Sequence, residues 1–230
     1  MARIQLEPAW VLSLRPYRET SALLEVLSSR HGRVGLVARG VRGAKSKLRG
    51  LLQPFAPLLM SWSDRGELGT LGAVEAGGVA TPLKGEAIFS GWYLNELVLR
   101  LLQRNDPHPS LFHDYSETLT ALATGTAARA LRVFEKRLLS ELGYGVHLPE
   151  GLTAEGWYAF EPASGLRVAE GPGSNCYRGA SLLEMERESF ANLDALRDAR
   201  RLLRSALEPH LNGRALRTPE MLRALRAIRE

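Results

Sequence analysis

Apolar positions in the first third of the chain come in short, closely spaced runs. Ala9–Leu14, Ser21–Leu27 and Gly32–Arg39 are rich in Val and Leu and are separated by turn signals at Arg15-Pro16 and His31-Gly32. This pattern predicts three strands. Ser29-Arg30-His31-Gly32 reads as a hairpin loop in which the glycine supplies a φ that other residues avoid. Gly40–Lys47 breaks the pattern, and Leu48–Gln53 can make one short helical turn. Pro57–Trp62 and Leu68–Ala76 then read as two more strands joined by Ser63-Asp64-Arg65-Gly66. Five strands with a short helix after the third is the order of an OB-fold, a small Greek-key barrel. An SH3-like barrel fits the pattern nearly as well.

From Leu83 onward the period becomes helical. Glu86–Gln103 is apolar nearly all round, which predicts a helix buried at the centre of a second unit. Pro107 and Pro109 end it, and Ser110 is placed to cap Leu111–Ala123. Thr126 is placed to cap Ala127–Leu142, whose Leu131, Phe134, Leu138, Leu139 and Leu142 share a face. Gly143 stands where a C′ glycine belongs. Residues 144–178 are rich in Gly and Pro and read as irregular loops with one hairpin. Ser181–Phe190, Leu193–His210 and Thr218–Ile228 read as closing helices, the last with Pro219 in its first turn. The expected class is α+β: a barrel over 1–80, then an α-helical domain over 81–230 with an irregular insert at about 146–180.

Charge adds to this picture through its distribution. The chain carries 30 Lys+Arg against 25 Asp+Glu, a net charge of +5. Residues 1–80 hold +5, residues 81–196 hold −5 and residues 197–230 hold +5. No acidic residue lies between Val26 and Ser63, while Arg30, Arg33, Arg39, Arg42, Lys45, Lys47 and Arg49 all fall there. One-sign segregation of this kind is the footprint of a polyanion binder, and a solvated basic loop is the plainer alternative. No apolar stretch approaches the roughly 20 residues that span a bilayer. The start MARIQLEPAW lacks the apolar core of a secretory signal. The expected compartment is therefore the cytoplasm.

Catalytic motifs are missing. Gly43-Ala44-Lys45-Ser46 resembles the end of a phosphate-binding P-loop, but Ala38 stands where the motif needs its first glycine. Neither a Gly-x-Ser-x-Gly elbow nor a Gly-x-Gly-x-x-Gly loop occurs. The five histidines, 31, 108, 113, 147 and 210, are scattered, and Cys176 is the single cysteine. That excludes an internal disulfide and any zinc site built on two thiolates of one chain; no cofactor is expected. Two constellations suit binding. In the segment from Arg39 to Arg49, basic side chains recur every two to three residues among small ones, a spacing that can follow a phosphodiester backbone. On Ala127–Leu142, Arg129, Arg132 and Lys136 form a cationic stripe about 60° wide beside an apolar face. That stripe suits an acidic peptide ending in an apolar residue.

Several blocks resemble the bacterial RecO family of DNA repair proteins. They are Leu14-Arg15-Pro16-Tyr17-Arg18-Glu19-Thr20-Ser21-Ala22-Leu23-Leu24-Glu25-Val26, the stretch Gly32-Arg33-Val34 to Arg42, and Leu51-Leu52-Gln53-Pro54-Phe55. Gly91-Trp92-Tyr93-Leu94-Asn95-Glu96-Leu97 and Arg132-Val133-Phe134-Glu135 to Gly143-Tyr144-Gly145 continue the series, in family order over residues 10–145. The resemblance implies an N-terminal OB-fold and a helical domain. It also implies a non-enzymatic, monomeric, nucleoid-associated protein that binds single- and double-stranded DNA, anneals complementary strands and helps load RecA onto SSB-coated DNA. Its implied partners are RecR, in many bacteria RecF, and the acidic C-terminal tail of SSB. An adaptor that binds proteins and touches DNA only incidentally is the competing reading. Some family members carry a four-cysteine zinc site in the insert; here only Cys176 stands there, so another interaction must hold those loops. The expected DNA contacts are Arg15, Arg18, Arg33, Arg39, Arg42, Lys45, Lys47 and Arg49. The expected tail contacts are Arg129, Arg132 and Lys136, with Arg132 as the carboxylate anchor. Trp10, Tyr17 and Phe55 are candidate base-stacking platforms, of which only Tyr17 is expected to be exposed.

Overall fold

The computed structural model describes residues 3–44, 46–63, 66–80, 82–211 and 213–222. Strands β1 (Arg3–Tyr17), β2 (Ser21–Ser28), β3 (Gly32–Ala38), β4 (Pro57–Ser63) and β5 (Gly69–Ala76) close into a barrel in the order β1-β2-β3-β5-β4. The short helix α1 (Leu48–Leu51) lies between β3 and β4. Neighbouring strands are antiparallel except β3 and β5, which run parallel where Leu36 meets Gly69. This is the OB arrangement, the first of the two barrels that the pattern allows. Val11, Leu24, Val26, Leu36, Leu52 and Met60 fill the interior, and Leu48 and Leu51 close on it from α1. β1 starts well before the predicted Ala9. Leu6 takes a φ of +48° and donates its N–H to Ser61 Oγ at 3.0 Å. The resulting bulge interrupts the period-2 alternation that marks a strand.

The chain divides into two compact units, Met1–Gly125 with Leu216–Glu230, and Thr126–Ala215. The expected boundary at residue 80 marks the end of the barrel, but the first unit continues through α2 (Glu86–Leu101) and α3 (Pro109–Thr124). α2 packs on β1, and Trp10 of β1 is buried with its ring centroid 5.8 Å from that of Tyr115 on α3. Trp10 is thus a core residue. α2 is not buried all round: Leu94, Asn95, Leu97 and Val98 face inward, whereas Ile88 and Trp92 are exposed. α3 begins at Pro109, ahead of the expected cap Ser110, because proline's fixed φ suits the first helical position.

The first unit is completed by residues 217–222, which are helical; the remainder of the helix expected to reach Ile228 lies outside the described residues. The Glu96 carboxylate of α2 accepts the Arg217 and Thr218 N–H groups, both at 3.0 Å, and the Thr218 hydroxyl at 2.9 Å. It therefore caps the start of that helix from outside, where amides lack intrahelical partners. Burial pushes the Glu96 carboxyl up, but these donors together with Arg100 outweigh it and hold it below the ordinary 4.5.

The second unit contains α4 (Ala127–Glu141), β6 (Trp157–Glu161), β7 (Gly165–Ala169), β8 (Cys176–Arg178), α5 (Gly179–Glu186) and α6 (Leu193–Leu207), followed by a 3₁₀ turn, Glu208–Leu211. Gly143, at φ +80°, ends α4 as expected. The Tyr144 N–H returns to the Leu139 carbonyl at 2.8 Å in a Schellman closure. The insert is more regular than predicted: β6 and β7 form the hairpin, and β8 adds a third antiparallel strand in the order β7-β6-β8. Tyr158, Phe160 and Tyr177 are buried there. The Tyr158 hydroxyl accepts the Thr153 N–H at 2.8 Å, and the Gly179 and Ala180 N–H groups bond back to Gly156 and Ala154. Apolar burial and these backbone ties hold the loops. Cys176 is unpaired.

Candidate nucleic-acid interface

β1 and β2 join through Arg18-Glu19-Thr20, and β3 leaves the barrel at the same end, because Ala22 pairs with Ala38. Two hydrogen bonds fasten the exit loop of β3 to this turn. Arg42 N–H bonds the Thr20 carbonyl at 2.9 Å, and the Arg42 guanidinium bonds the Arg18 carbonyl at 3.1 Å. Gly40, at φ +67°, opens a turn closed by the Gly43 N–H on its carbonyl, and Ser46 N–H closes a second on Gly43. Arg15, Arg18, Arg39 and Arg42 are all exposed, so four of the expected contacts share one end of the barrel. Glu19 is the carboxylate of the same turn. Lys47, the N-cap of α1, and Arg49 on it follow, both exposed; Lys45 lies outside the described residues. Arg42 spends one N–H on a neutral carbonyl, so its charge remains uncompensated by that bond.

Arg33 departs from expectation. Its Nη1 donates to the Leu99 carbonyl at 2.7 Å and stands 3.9 Å from Glu25, and its side chain is only 19% exposed. Burial lowers its pKa, Glu25 restores part of that, and Arg104 lowers it further. Arg33 is half-buried, its guanidinium held against the Leu99 carbonyl and Glu25. The reason is that the chain after α2 lies across β2 and β3. Arg104 pairs with the buried Glu25 carboxylate, and Asn105 N–H bonds the Arg33 carbonyl at 2.8 Å. Gly32, at φ +63°, leaves room for the Asp106 carbonyl, which would lie 1.8 Å from any Cβ. The β2–β3 face that OB-folds use for oligonucleotides is therefore partly occupied by the protein itself, and the basic end of the barrel stays open.

The aromatic candidates separate. Trp10 is core. Tyr17 is half-exposed, with the Arg18 guanidinium 5.2 Å above its ring. Phe55, at φ +66°, sets its ring edge-on to Trp92 with centroids 5.2 Å apart.

On α4 the cationic stripe is engaged within its own unit. Arg129 is exposed and donates twice to the Glu188 carbonyl, at 2.9 and 3.2 Å. Lys136 donates to the Glu186 carbonyl at 2.6 Å, and Arg137 bonds the Glu188 carboxylate at 2.6 Å. Burial raises the Glu188 carboxyl, but Arg137 and Lys136 outweigh it and hold it below the ordinary 4.5. Arg132, the expected tail anchor, has a side chain 10% exposed that pairs with the buried Glu135 at 2.5 Å. That pair engages one Nη donor, and the buried Nε of Arg132 meets no hydrogen-bond partner among the described residues.

Two structural carboxylates escape sequence reasoning. Glu7 of β1 is fully buried and takes the Arg30 backbone N–H at 2.7 Å and its guanidinium at 2.6 and 2.8 Å. Glu25 is its counterpart on β2. For Glu25 the available signal is a lone acidic residue within an apolar strand, opposite Gly35 on β3. Among the described residues, no group of three or more His, Cys, Asp or Glu side chains could hold a metal ion, and no helix is long and apolar enough to cross a membrane.

Comparison with known proteins agrees with this architecture. Residues 1–78 match the model for "Recombination protein O N terminal" and residues 83–152 that for "Recombination protein O C terminal". The DNA repair protein RecO of Coxiella burnetii (strain CbuG_Q212) is 43% identical over 227 residues, covering 96% of this chain and 98% of the relative. That of Methylococcus capsulatus is 41% identical over 230 residues, covering 97% and 95%. That of Nitrosococcus oceani is 42% identical over 235 residues, covering 98% and 96%.

Proposed function

Because the chain belongs to the RecO family of DNA repair proteins, we propose that it is a non-catalytic recombination mediator. It binds single- and double-stranded DNA, anneals complementary strands and helps load RecA onto SSB-coated DNA. The observation that carries this reading is the tie from Arg42 to the Arg18 carbonyl, which gathers Arg15, Arg18, Arg39 and Arg42 at one end of the barrel. Cations held by a fixed backbone can neutralise successive phosphates without reading bases, so they suit either strand form. Lys47 and Arg49 extend the same track, and Lys45, which precedes them in sequence, is proposed as a further contact. Arg33 is left out of it.

The α4 stripe supports a second role, in which the acidic C-terminal tail of SSB docks on this unit. Arg129 leads, because its donors meet a neutral carbonyl and its charge stays available; Lys136 assists, and Arg132 braces the helix. RecR and RecF are the further proposed partners, and the protein works as a monomer at the cytoplasmic nucleoid.

Oligonucleotide binding measured across salt concentrations tests the first role. Counterion release by about five contacts predicts a log–log slope near −3.5 for single strands, from about −0.7 per contact. Absence of salt-dependent binding would favour an adaptor that touches DNA only incidentally.

A further inference from the structure

The chain has four tryptophans, and three are covered. Trp10 and Trp62 are buried, and Trp157 lies under the Arg178 guanidinium at 4.7 Å. Trp92 is 39% exposed, although it sits on a helix whose other large apolar side chains mostly face inward. Its surroundings are built. A Cβ on Gly91 would stand 2.9 Å from the Phe55 ring and 2.6 Å from Leu83, so two segments of chain converge on this turn of α2. Phe55 is held edge-on to the indole in a left-handed backbone conformation. Gln53 Nε2 bonds the Arg49 carbonyl at 2.8 Å and so folds the Phe55 segment back on α1. Lys47 and Arg49 of that turn, and Lys84 beside Leu83, are exposed and form no ion pair among the described residues. Glu86 is the carboxylate of the stretch.

We propose that Trp92, backed by Phe55, is a stacking platform for an unstacked nucleobase. Proteins that hold single strands combine a cationic track for the backbone with aromatic faces for the bases, and every base offers a π-face. Here the track ends at Lys47 and Arg49, and the ring is linked to that turn through Phe55 and Gln53. A paired base inside a duplex keeps its faces stacked on its neighbours, so this contact favours single strands over double strands. The inference rests on the basic-track reading given above.

The test uses the full chain, a thymidine oligonucleotide and an abasic deoxyribose-phosphate strand of the same length. Intrinsic tryptophan emission should fall with the thymidine strand and stay nearly unchanged with the abasic one. Trp92→Ala should weaken thymidine-strand binding roughly five- to hundredfold, leave the salt slope unchanged, and leave abasic-strand affinity alone. Trp92→Phe should keep most of the affinity; it also serves as the binding variant if Trp92→Ala unfolds. Equal affinity for both strands with unaltered emission, or full affinity in both variants, would overturn the stacking site and assign the ring to a protein contact. If neither strand binds in a salt-dependent way, it is the basic track that fails.

Discussion

Asn95 Nδ2 donates to the Leu12 carbonyl at 2.9 Å, while its Oδ1 accepts the Tyr115 hydroxyl at 2.6 Å. One buried amide thereby joins β1 to α2 and α3. Leu12 lies in the register shift between Val11 and Ser13, where β1 and β2 fall out of step. A bulge takes a residue out of ladder pairing, and the carbonyl it leaves is the one Asn95 satisfies.

Asn95→Ala should therefore strand the Leu12 carbonyl in the interior and remove one partner of the Tyr115 hydroxyl. An unsatisfied buried group costs about 1–3 kcal/mol, so urea unfolding should register a loss of at least about that size. Tyr115→Phe should lose less. A double-mutant cycle should give a coupling of about 0.5–3 kcal/mol; additive losses would contradict the shared network.

Arg15→Ala with Arg39→Ala should leave stability within about 0.5 kcal/mol of the parent, since both side chains are exposed. On oligonucleotides the salt slope should become shallower by about 1.4, two contacts at about 0.7 each. Arg33→Ala should behave oppositely, lowering the melting temperature through loss of the Leu99 contact. Paired melting and salt-titration data distinguish the two classes.

The depressed Glu96 and Glu188 carboxyls fix the sign of the acid response. A folded-state pKa below the unfolded one gives stability that is complete above about 4.5 and fades as pH falls through the depressed value. Melting temperature should therefore drop below about pH 4.5. Glu96→Gln should shrink that drop and remove about 0.5–2 kcal/mol at neutral pH, the range for losing a helix cap. An unchanged acid profile in the variant would exclude Glu96 as a contributor.

Arg129→Ala should weaken binding of an acidic peptide ending in phenylalanine while leaving folding intact. Arg132→Ala should instead destabilise the fold, because it breaks a buried ion pair with Glu135. Isothermal titration beside thermal unfolding separates these. A folded Arg132→Ala protein that has lost only peptide affinity would return the anchor to Arg132.

The barrel was largely legible because strand signals are local. Val and Leu runs bounded by Arg15-Pro16 and His31-Gly32 mark β2 and β3, and Gly32 indeed takes a positive φ. What escaped depends on partners far along the chain. Arg33 reads as one more cation in an acid-free span until Leu99 and Glu25 are seen around it. Arg132 reads as surface because its charge hides that Glu135, one helical turn on, is buried with it. The strands of the insert were obscured by glycines and prolines, and β8, at three residues, is too short to show alternation. The positions of Arg39 and Arg42 in a loop were readable; their fastening to Thr20 and Arg18 was not.

Glu96 waits for residues made long after it. The 90 residues of Thr126–Ala215 separate the main part of the first unit from the segment that Glu96 caps. At about 5–20 residues per second, a ribosome needs roughly 5–20 s to cross that interval. During synthesis, then, a nascent chain holds a nearly finished barrel-and-helix unit whose clasp is open, while the second unit emerges and can fold as its own body. Only when residues 217–222 appear can the carboxylate take up its amides, so completion of the first unit reports that the second has already been made.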